Sequence, residues 1–245
     1  MSGLAALAVA ALFVSPPTFA PQSFAERASA FAAELPAAHE EADAESDDAL
    51  AGAEDAPVFS QAAARVLDWV AASGDNGELP YIVIDKKAAR LFLFDASGKS
   101  LGDAPVLLGI AEGDESSPGI GSKKLAELGP AEKTTPAGRF VAKYGWAAGR
   151  EKVLWVDYAT SVALHAVITG NKKERRQERL DTPTVEDNRI SFGCINVPTE
   201  FYKKQIRPLF KDDGGVVYVL PEVKPLEEVF PRLHAHPYQQ ASLSR

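Results

Sequence analysis

The sequence predicts a mostly β domain with a few helices. From residue 79 onward, short runs of β-branched and aromatic residues are bounded by Gly, Pro and Asp, which is typical of strands joined by turns. The regular strand–helix alternation of parallel α/β sheets is missing, and so is any repeat of about 20–50 residues. A chain of 245 residues with 46% hydrophobic residues can bury one good core.

The N-terminal part is predicted to lie outside this core. Residues 1–30 contain an apolar run followed by small residues, which indicates an export signal, although no Lys or Arg precedes Arg27. The run is too short to span a bilayer, and the alternative is an Ala-rich tail. Residues 31–56 are rich in Ala, Glu and Asp and predict a solvated linker.

The negative charge of the chain is concentrated in the same part. Residues 1–56 contain ten Asp or Glu and one Arg, so the other residues contain 24 acidic and 25 basic ones, and the total is −8. The predicted domain is therefore nearly neutral. Without a basic surface it offers no case for nucleic acid as a partner.

A helical lead-in is predicted over residues 57–78, where Val58, Ala62, Val66 and Val70 recur near helical spacing. Ser60 is the candidate N-cap and Trp69 the candidate packing anchor, and the alternative is that this segment belongs to the linker.

The β domain is predicted over residues 79–221, followed by a C-terminal tail, 222–245. Its predicted elements are strands at 81–85, 90–95, 139–146, 153–168 and 216–220, a turn at 95–99, loops over 112–129 and a short helix at 198–207.

The single cysteine, Cys194, is the main candidate for chemistry. A lone Cys cannot form an intramolecular disulfide, and it usually packs like a small hydrophobe. The segment 191–196 reads Ser-Phe-Gly-Cys-Ile-Asn, and its small and polar residues favour a turn that leads into an exposed site. His165 lies in the middle of the chain, and a thiol with a distant imidazole is the pair that cysteine acyl transfer needs. From these residues alone, packing and catalysis both remain open.

The segment 191–196 resembles the nucleophile motif of the L,D-transpeptidases (YkuD-like catalytic domains), a Ser/Thr-His-Gly-Cys-hydrophobic-Asn run with an upstream His as base. The hairpin strands 81–85 and 90–95, a strand at 105–109 and the segment 135–140, which reads Thr-Pro-Ala-Gly-Arg-Phe, resemble further family segments in the same order. The resemblance covers about residues 80–221. It implies a β-sandwich or mixed sheets with a short helix after the nucleophile loop.

The resemblance also implies the roles of four residues in a peptidoglycan L,D-transpeptidase. Cys194 is the nucleophile and His165 the general base and acid, while Gly193 supplies an oxyanion backbone N–H and the Ala166 carbonyl orients the imidazole. Cys194 forms a thioester on a wall stem peptide with release of D-alanine, and an amine of a second stem peptide or of an envelope lipoprotein is the acceptor. Carbapenems acylate the family's cysteine.

Further expectations concern the compartment and the bound groups. The resemblance implies an exported protein of the periplasm or cell envelope of a bacterium. No cofactor and no metal are expected. His234 and His236 have metal-like spacing but no third ligand nearby, and we expect them in an exposed tail.

The chain departs from the family pattern at two places. Phe192 replaces the second His of the motif, and the stretch between His165 and Cys194 is longer than usual, with an apparent insertion at 170–180. Two alternatives therefore stay open: hydrolysis at the same site, as a carboxypeptidase or amidase, and a catalytically weak peptidoglycan-binding protein.

Substrate contacts are predicted for Ser191, Asn196, Arg189 and Phe192. Ser191 and Asn196 serve equally well as turn scaffolding. Arg189 suits a substrate carboxylate, or an ordinary salt bridge with Asp187.

The basic cluster of the insertion is predicted to be a solvated, charged helix, and a lid is the alternative. Its members are Lys172, Lys173, Arg175, Arg176 and Arg179.

Overall fold

The computed structural model describes residues 58–147 and 151–235, and ten strands lie in these residues. The predicted export segment, residues 1–30, and the linker, residues 31–56, are outside them. The strands are β1 Tyr81–Asp85, β2 Arg90–Phe94, β3 Ser100–Pro105, β4 Leu108–Gly109, β5 Gly138–Trp146, β6 Lys152–Asp157, β7 Val162–Ala166, β8 Arg189–Ser191, β9 Ile195–Val197 and β10 Gly215–Val219.

Helices are short except for the first. They are α1 Gln61–Ser73, α2 Arg176–Asp181, α3 Thr199–Phe201, α4 Arg207–Phe210 and α5 Leu226–Val229, with a π-helical turn Tyr202–Ile206 between α3 and α4. Single 3-10 turns occupy Ile120–Ser122, Leu125–Glu127, Pro130–Glu132, Lys172–Glu174, Val185–Asn188 and Pro231–Ala235.

Eight strands form one sheet in the order β3-β2-β1-β10-β5-β6-β7-β9, and β4 pairs with β8 in a second, two-stranded sheet. The long strand β5 joins the two halves of the large sheet, because residues 138–142 pair with β10 and residues 143–146 pair with β6. Most neighbours are antiparallel, but β1–β10 and β7–β9 are parallel.

The two halves of the large sheet share one apolar core. Ile82 and Val217 from one half lie in the same cluster as Leu154 and Leu164 from the other, and the segment from α3 to α4 adds Tyr202, Ile206 and Phe210. The predicted mostly β architecture is therefore confirmed, and the short helix that follows the nucleophile loop belongs to this core.

The helix expected in the lead-in is present as α1. Ser60 caps it, since its Oγ accepts a hydrogen bond from Ala63 N at 3.1 Å, and Gly74 ends it with a left-handed φ of 63°. Val66, Trp69 and Val70 pack on the outer face of β1, β2 and β10.

Two strand predictions need correction. Residues 153–168 form the hairpin β6–β7 rather than one strand, because Asp157 holds a turn by accepting hydrogen bonds from Ala159 N and Thr160 Oγ1. Residues 105–109 do not form one strand either. The chain leaves the sheet after Pro105, and Leu107 then pairs with Asn196 next to β9.

The start of the predicted C-terminal tail is packed. Leu226, Phe230 and Leu233 are buried in the same cluster as α1. The side chain of His234 and all of His236 lie outside the described residues. No helix in the described part of the chain is long and apolar enough to cross a membrane.

Candidate active site

The parallel strands β7 and β9 place the candidate thiol and imidazole on one face of the sheet. His165 is in register with Asn196, and Leu164 with Ile195. Because side chains alternate along a strand, Leu164 and Ile195 enter the core while His165, Asn196 and Cys194 project from the opposite face.

A serine hydroxyl closes the turn that carries the cysteine. Ser191 Oγ donates to the Cys194 carbonyl at 2.6 Å and accepts from Gly193 N at 3.1 Å. Ser191 is fully buried, and its hydroxyl holds the turn. The Gly193 N–H expected in the oxyanion hole is instead engaged with this hydroxyl.

Gly193 is required at its position by geometry. Its φ is 122°, and a Cβ there would lie 2.8 Å from the carbonyl oxygen of Thr134. A side chain would therefore be strained by its backbone conformation and would also collide with the neighbouring segment.

Thr135 fixes the same loop from the other side. Its buried Oγ1 accepts from Gly109 N at 2.9 Å and donates to the Gly193 carbonyl at 2.9 Å. Sequence reasoning used residues 135–140 only as a family marker and missed this positioning role. A single sequence carries no sign of which buried hydroxyl bridges two loops.

Cys194 is buried, not exposed as its flanking residues suggested. The residue is 4% exposed and packs with Val153, Trp155 and Ala163, while its Sγ lies 3.8 Å from the Ser161 carbonyl oxygen. The small flanking residues serve the turn itself instead of opening the thiol to solvent.

His165 is held as a neutral base. Its Nδ1 lies 2.8 Å from the Ala166 carbonyl oxygen, and because a carbonyl only accepts, Nδ1 carries the proton. Nε2 is then the acceptor, and Asn196 Nδ2 lies 3.4 Å from it. Burial lowers the pKa of His165 to about 4, with the Ala166 hydrogen bond opposing the shift and the Arg176 charge adding to it.

Asn196 is fully buried at the centre of the site. Its Nδ2 also lies 3.5 Å from the Cys194 carbonyl oxygen, and its Oδ1 accepts from Arg176 Nη1 at 2.8 Å. Its backbone exchanges two hydrogen bonds with Leu107, at 2.8 and 3.0 Å. Like Ser191, it therefore holds the site together.

The other two predicted substrate contacts are at the edge of the site. Arg189 pairs with Glu222, not with Asp187, and this ion pair occupies the guanidinium expected to bind a substrate carboxylate. The ring of Phe192 is partly buried under the ammonium of Lys133, with Nζ 3.8 Å from the ring centroid.

The insertion is only partly solvated. Lys172, Lys173 and Arg175 are exposed as expected, but Arg176 is 3% exposed and reaches Asn196. Arg179 donates to the carbonyls of Glu174 and Asp187, both at 2.7 Å. The expectation of a purely solvated helix is therefore wrong for Arg176.

A buried charge cluster, which sequence reasoning also missed, lies behind the Thr135 segment. Lys86 Nζ is 2.7 Å from Asp114 Oδ1, 3.4 Å from Glu222 Oε1 and 3.0 Å from the Thr135 carbonyl oxygen. Within residues 58–147 and 151–235, no group of three or more His, Cys, Asp or Glu is placed to hold a metal ion.

No family model and no curated protein matches the chain. Solved structures similar to it include a crystal structure of a mutant Enterococcus faecium L,D-transpeptidase, with 17% identity, a TM-score of 0.34, and coverage of 58% of this chain and 49% of that chain. A second is the catalytic domain of the E. faecium L,D-transpeptidase solved by NMR, with 17% identity, a TM-score of 0.33, and coverage of 58% and 98%.

A third similar structure, an L,D-transpeptidase fragment from Xylanimonas cellulosilytica, has 15% identity, a TM-score of 0.35, and coverage of 58% of this chain and 60% of that one. The chain thus spans about half of the first of these proteins. At these identities and TM-scores the superpositions do not assign a function.

Proposed function

We propose that this protein is an L,D-transpeptidase that transfers a peptidoglycan stem peptide through a thioester on Cys194. The observation that carries the proposal is the state of His165: its Nδ1 is held by the Ala166 carbonyl at 2.8 Å, so Nε2 is a proton acceptor on the face of the sheet that also bears Cys194. The motif at 191–196 supplies the substrate class.

Acylation begins when Sγ of Cys194 attacks the carbonyl carbon between the stem diamino acid and the terminal D-alanine. His165 Nε2 takes the thiol proton, and the carbonyl electrons move to its oxygen. When the tetrahedral intermediate collapses, the C–N bond breaks and the imidazolium gives its proton to the leaving amine. With its pKa lowered to about 4, the imidazolium is a strong acid that returns the proton readily, whereas the neutral imidazole is a weak base for the first step.

Deacylation reverses the roles. The acceptor amine attacks the thioester carbon, His165 removes its extra proton, and the thiolate of Cys194 leaves and is reprotonated by the imidazolium. An amine of a second stem peptide or of a lipoprotein gives a cross-link, whereas water gives hydrolysis. The oxyanion role expected of Gly193 requires its N–H to exchange the Ser191 hydroxyl for the substrate oxygen.

The proposed substrate lies outside the cytoplasm, so we place the protein in the periplasm or cell envelope. The segment that would direct export, residues 1–30, lies outside the described residues. This location follows from the substrate class and from the composition of that segment.

The test uses the full chain with a synthetic stem tetrapeptide that ends in D-alanine, together with an amine acceptor, and mass spectrometry of the products. We expect released D-alanine and the new amide in equal amounts, and neither with Cys194→Ala. Release of D-alanine without the amide would favour the hydrolytic alternative. No product from the folded wild type would contradict the proposal and favour a wall-binding protein.

A further inference from the structure

Arg176 belongs to the insertion between base and nucleophile, yet its guanidinium is buried inside the site. Nε donates to Glu174 Oε2 at 2.6 Å and Nη1 donates to Asn196 Oδ1 at 2.8 Å. Burying a guanidinium is unfavourable unless it is paired and hydrogen-bonded. Glu174 accepts from Nε, and Asn196 Oδ1 supplies an acceptor for Nη1.

The chemistry of the guanidinium fixes the orientation of the neighbouring amide. Arginine carries only donors, so the Asn196 atom that faces Arg176 must be the acceptor Oδ1. The amide nitrogen, Nδ2, is then turned toward His165 Nε2 at 3.4 Å and the Cys194 carbonyl oxygen at 3.5 Å. One contact therefore decides which end of the amide meets the base.

A reversed amide would oppose catalysis. Oδ1 of Asn196 would face Nε2 of His165 and could accept a hydrogen bond only from a protonated Nε2. Since Nδ1 already donates to Ala166, protonating Nε2 produces the imidazolium, which cannot act as a base.

The charge of Arg176 acts in the same direction as the amide orientation. The guanidinium disfavours a second positive charge on His165, and it contributes to the lowered pKa of the imidazole after burial itself. The Glu174 carboxylate, paired with Arg176 across 2.6 Å, offsets part of this charge. Two neutral groups, the Asn196 amide from β9 and the Ala166 carbonyl from β7, also contact the ring.

We propose that Arg176 is a positioning residue that holds the Asn196 amide with Nδ2, and not Oδ1, toward His165 Nε2, and thereby keeps Nε2 unprotonated. The inference rests on the proposed roles of Cys194 and His165. The insertion thereby contributes a residue to the site, which its predominantly charged sequence does not indicate.

The test compares the full-length wild type with Arg176→Met, Arg176→Lys and Arg175→Met. Arg175 is the matched control, because it is the adjacent guanidinium and pairs only on the surface with Glu178, at 69% and 59% side-chain exposure. Nitrogen-15 NMR follows protonation of the His165 ring, assigned by its loss in His165→Gln. Alkylation of Cys194 by iodoacetamide, measured against pH, follows the function of the base.

In Arg176→Met we expect the midpoint of His165 protonation and the acid limb of the alkylation rate to move up by about one pH unit, a tenfold loss of rate on that limb. Arg176→Lys should retain most of the wild-type behaviour, since an ammonium also only donates. Arg175→Met should match the wild type in both measurements. Wild-type midpoints in folded Arg176→Met would overturn the inference.

Two further outcomes keep the inference separate from the proposed function. If Arg176→Met does not fold, Arg176→Gln replaces it in the test. The glutamine amide can accept as well as donate, so it permits the Asn196 amide to reverse. An unchanged midpoint of His165 protonation in Arg176→Gln would overturn the inference. A wild-type alkylation rate that is unchanged by His165→Gln would instead refute the proposed function. The NMR measurement would still test the effect of Arg176 on the titration of His165.

Discussion

Two buried polar clusters lie on either side of the Thr135 segment. They differ in how they offset the free-energy cost of burying ionisable groups. The clamp cluster consists of Lys86, Asp114, Glu222 and Arg189. The thiol cluster consists of Cys194, His165, Asn196 and Arg176. Thr135 touches both, since its carbonyl accepts from Lys86 and its hydroxyl donates to Gly193.

The clamp cluster keeps its charges and pairs them. Lys86 Nζ donates to the Gly113 carbonyl at 2.5 Å and to Asp114 at 2.7 Å. Although burial alone would raise the pKa of Asp114, hydrogen bonds from Lys224 N, Lys86 and the backbone of residues 222 and 223 lower it to about 2. The Asp114 carboxylate is therefore held in its ionised form, and it connects its own segment to Lys86 and to residues 222–224.

In the thiol cluster the imidazole is instead held neutral. The contacts of Asn196 Nδ2 with His165 Nε2 and with the Cys194 carbonyl oxygen are 3.4 and 3.5 Å long, and burial lowers the histidine pKa to about 4. In the clamp cluster, hydrogen bonding and pairing therefore keep the Asp114 carboxyl charged, whereas in the thiol cluster burial keeps the His165 imidazole neutral.

The largest loss of stability is expected from a substitution in the clamp cluster. Lys86→Met leaves the carboxylates of Asp114 and Glu222 buried without their shared cation, and we expect a loss of about 3–5 kcal/mol in the free energy of unfolding. Denaturant titration measures it. The exposed neighbour Lys87→Met is the control and should change little.

The same Lys86→Met protein tests whether the clusters act independently. Its folded fraction should still be acylated at Cys194 at nearly the wild-type rate, because Lys86 contacts the Thr135 carbonyl, whereas the Thr135 hydroxyl is the group that holds the nucleophile turn. A collapse of that rate without loss of stability would show that the comparison is wrong.

A second, smaller effect is expected from Gly193→Ala. With φ at 122° and a Cβ 2.8 Å from Thr134 O, the substitution should cost about 2–3 kcal/mol and displace the adjacent thiol, so that acylation is lost. Gly119→Ala is matched, since its φ is 74° but its Cβ meets open space. It should cost about 1 kcal/mol and leave acylation intact. Equal losses in both variants would contradict a specific clash at the nucleophile turn.

The two clusters should also differ in the pH range over which each one loses stability. Asp114, with a pKa lowered to about 2, contributes stability above the unfolded carboxyl pKa of about 4, and this contribution, about 2 kcal/mol, is lost as pH falls from about 4 to 2. His165, with a pKa lowered to about 4, loses stability as pH falls from about 6.5 to 4, because the unfolded chain binds the proton first.

Unfolding curves measured across pH for the wild type, Asp114→Asn and His165→Gln resolve the two windows. Asp114→Asn should remove the lower step only, and His165→Gln the upper step only. A single step shared by both variants would mean that the two clusters titrate as one.

The sequence was sufficient for the elements with strong local signals. The period of α1, its Ser60 cap and the β-rich segments could be predicted, because each depends on neighbouring residues. The hairpin at 153–168 was missed because the turn is set by the Asp157 side chain within a continuous run of strand-forming residues.

For the site, the sequence indicated the residue types but not their partners. Cys194, His165 and the Ala166 carbonyl followed from the motif and its resemblance, and the structure brings them to neighbouring strands. The burial of Arg176 and the pairing of Arg189 with Glu222 could not be predicted, because both contacts join segments whose separation in sequence carries no local signal.

Activation of Cys194 by His165 can be measured by acylation with a carbapenem, followed by intact-protein mass spectrometry at neutral pH. We expect one adduct on the wild type, none on Cys194→Ala, and formation slowed by about 10²- to 10⁴-fold in His165→Gln. No adduct on the folded wild type, or an equal rate in His165→Gln, would contradict a thiol activated by this imidazole.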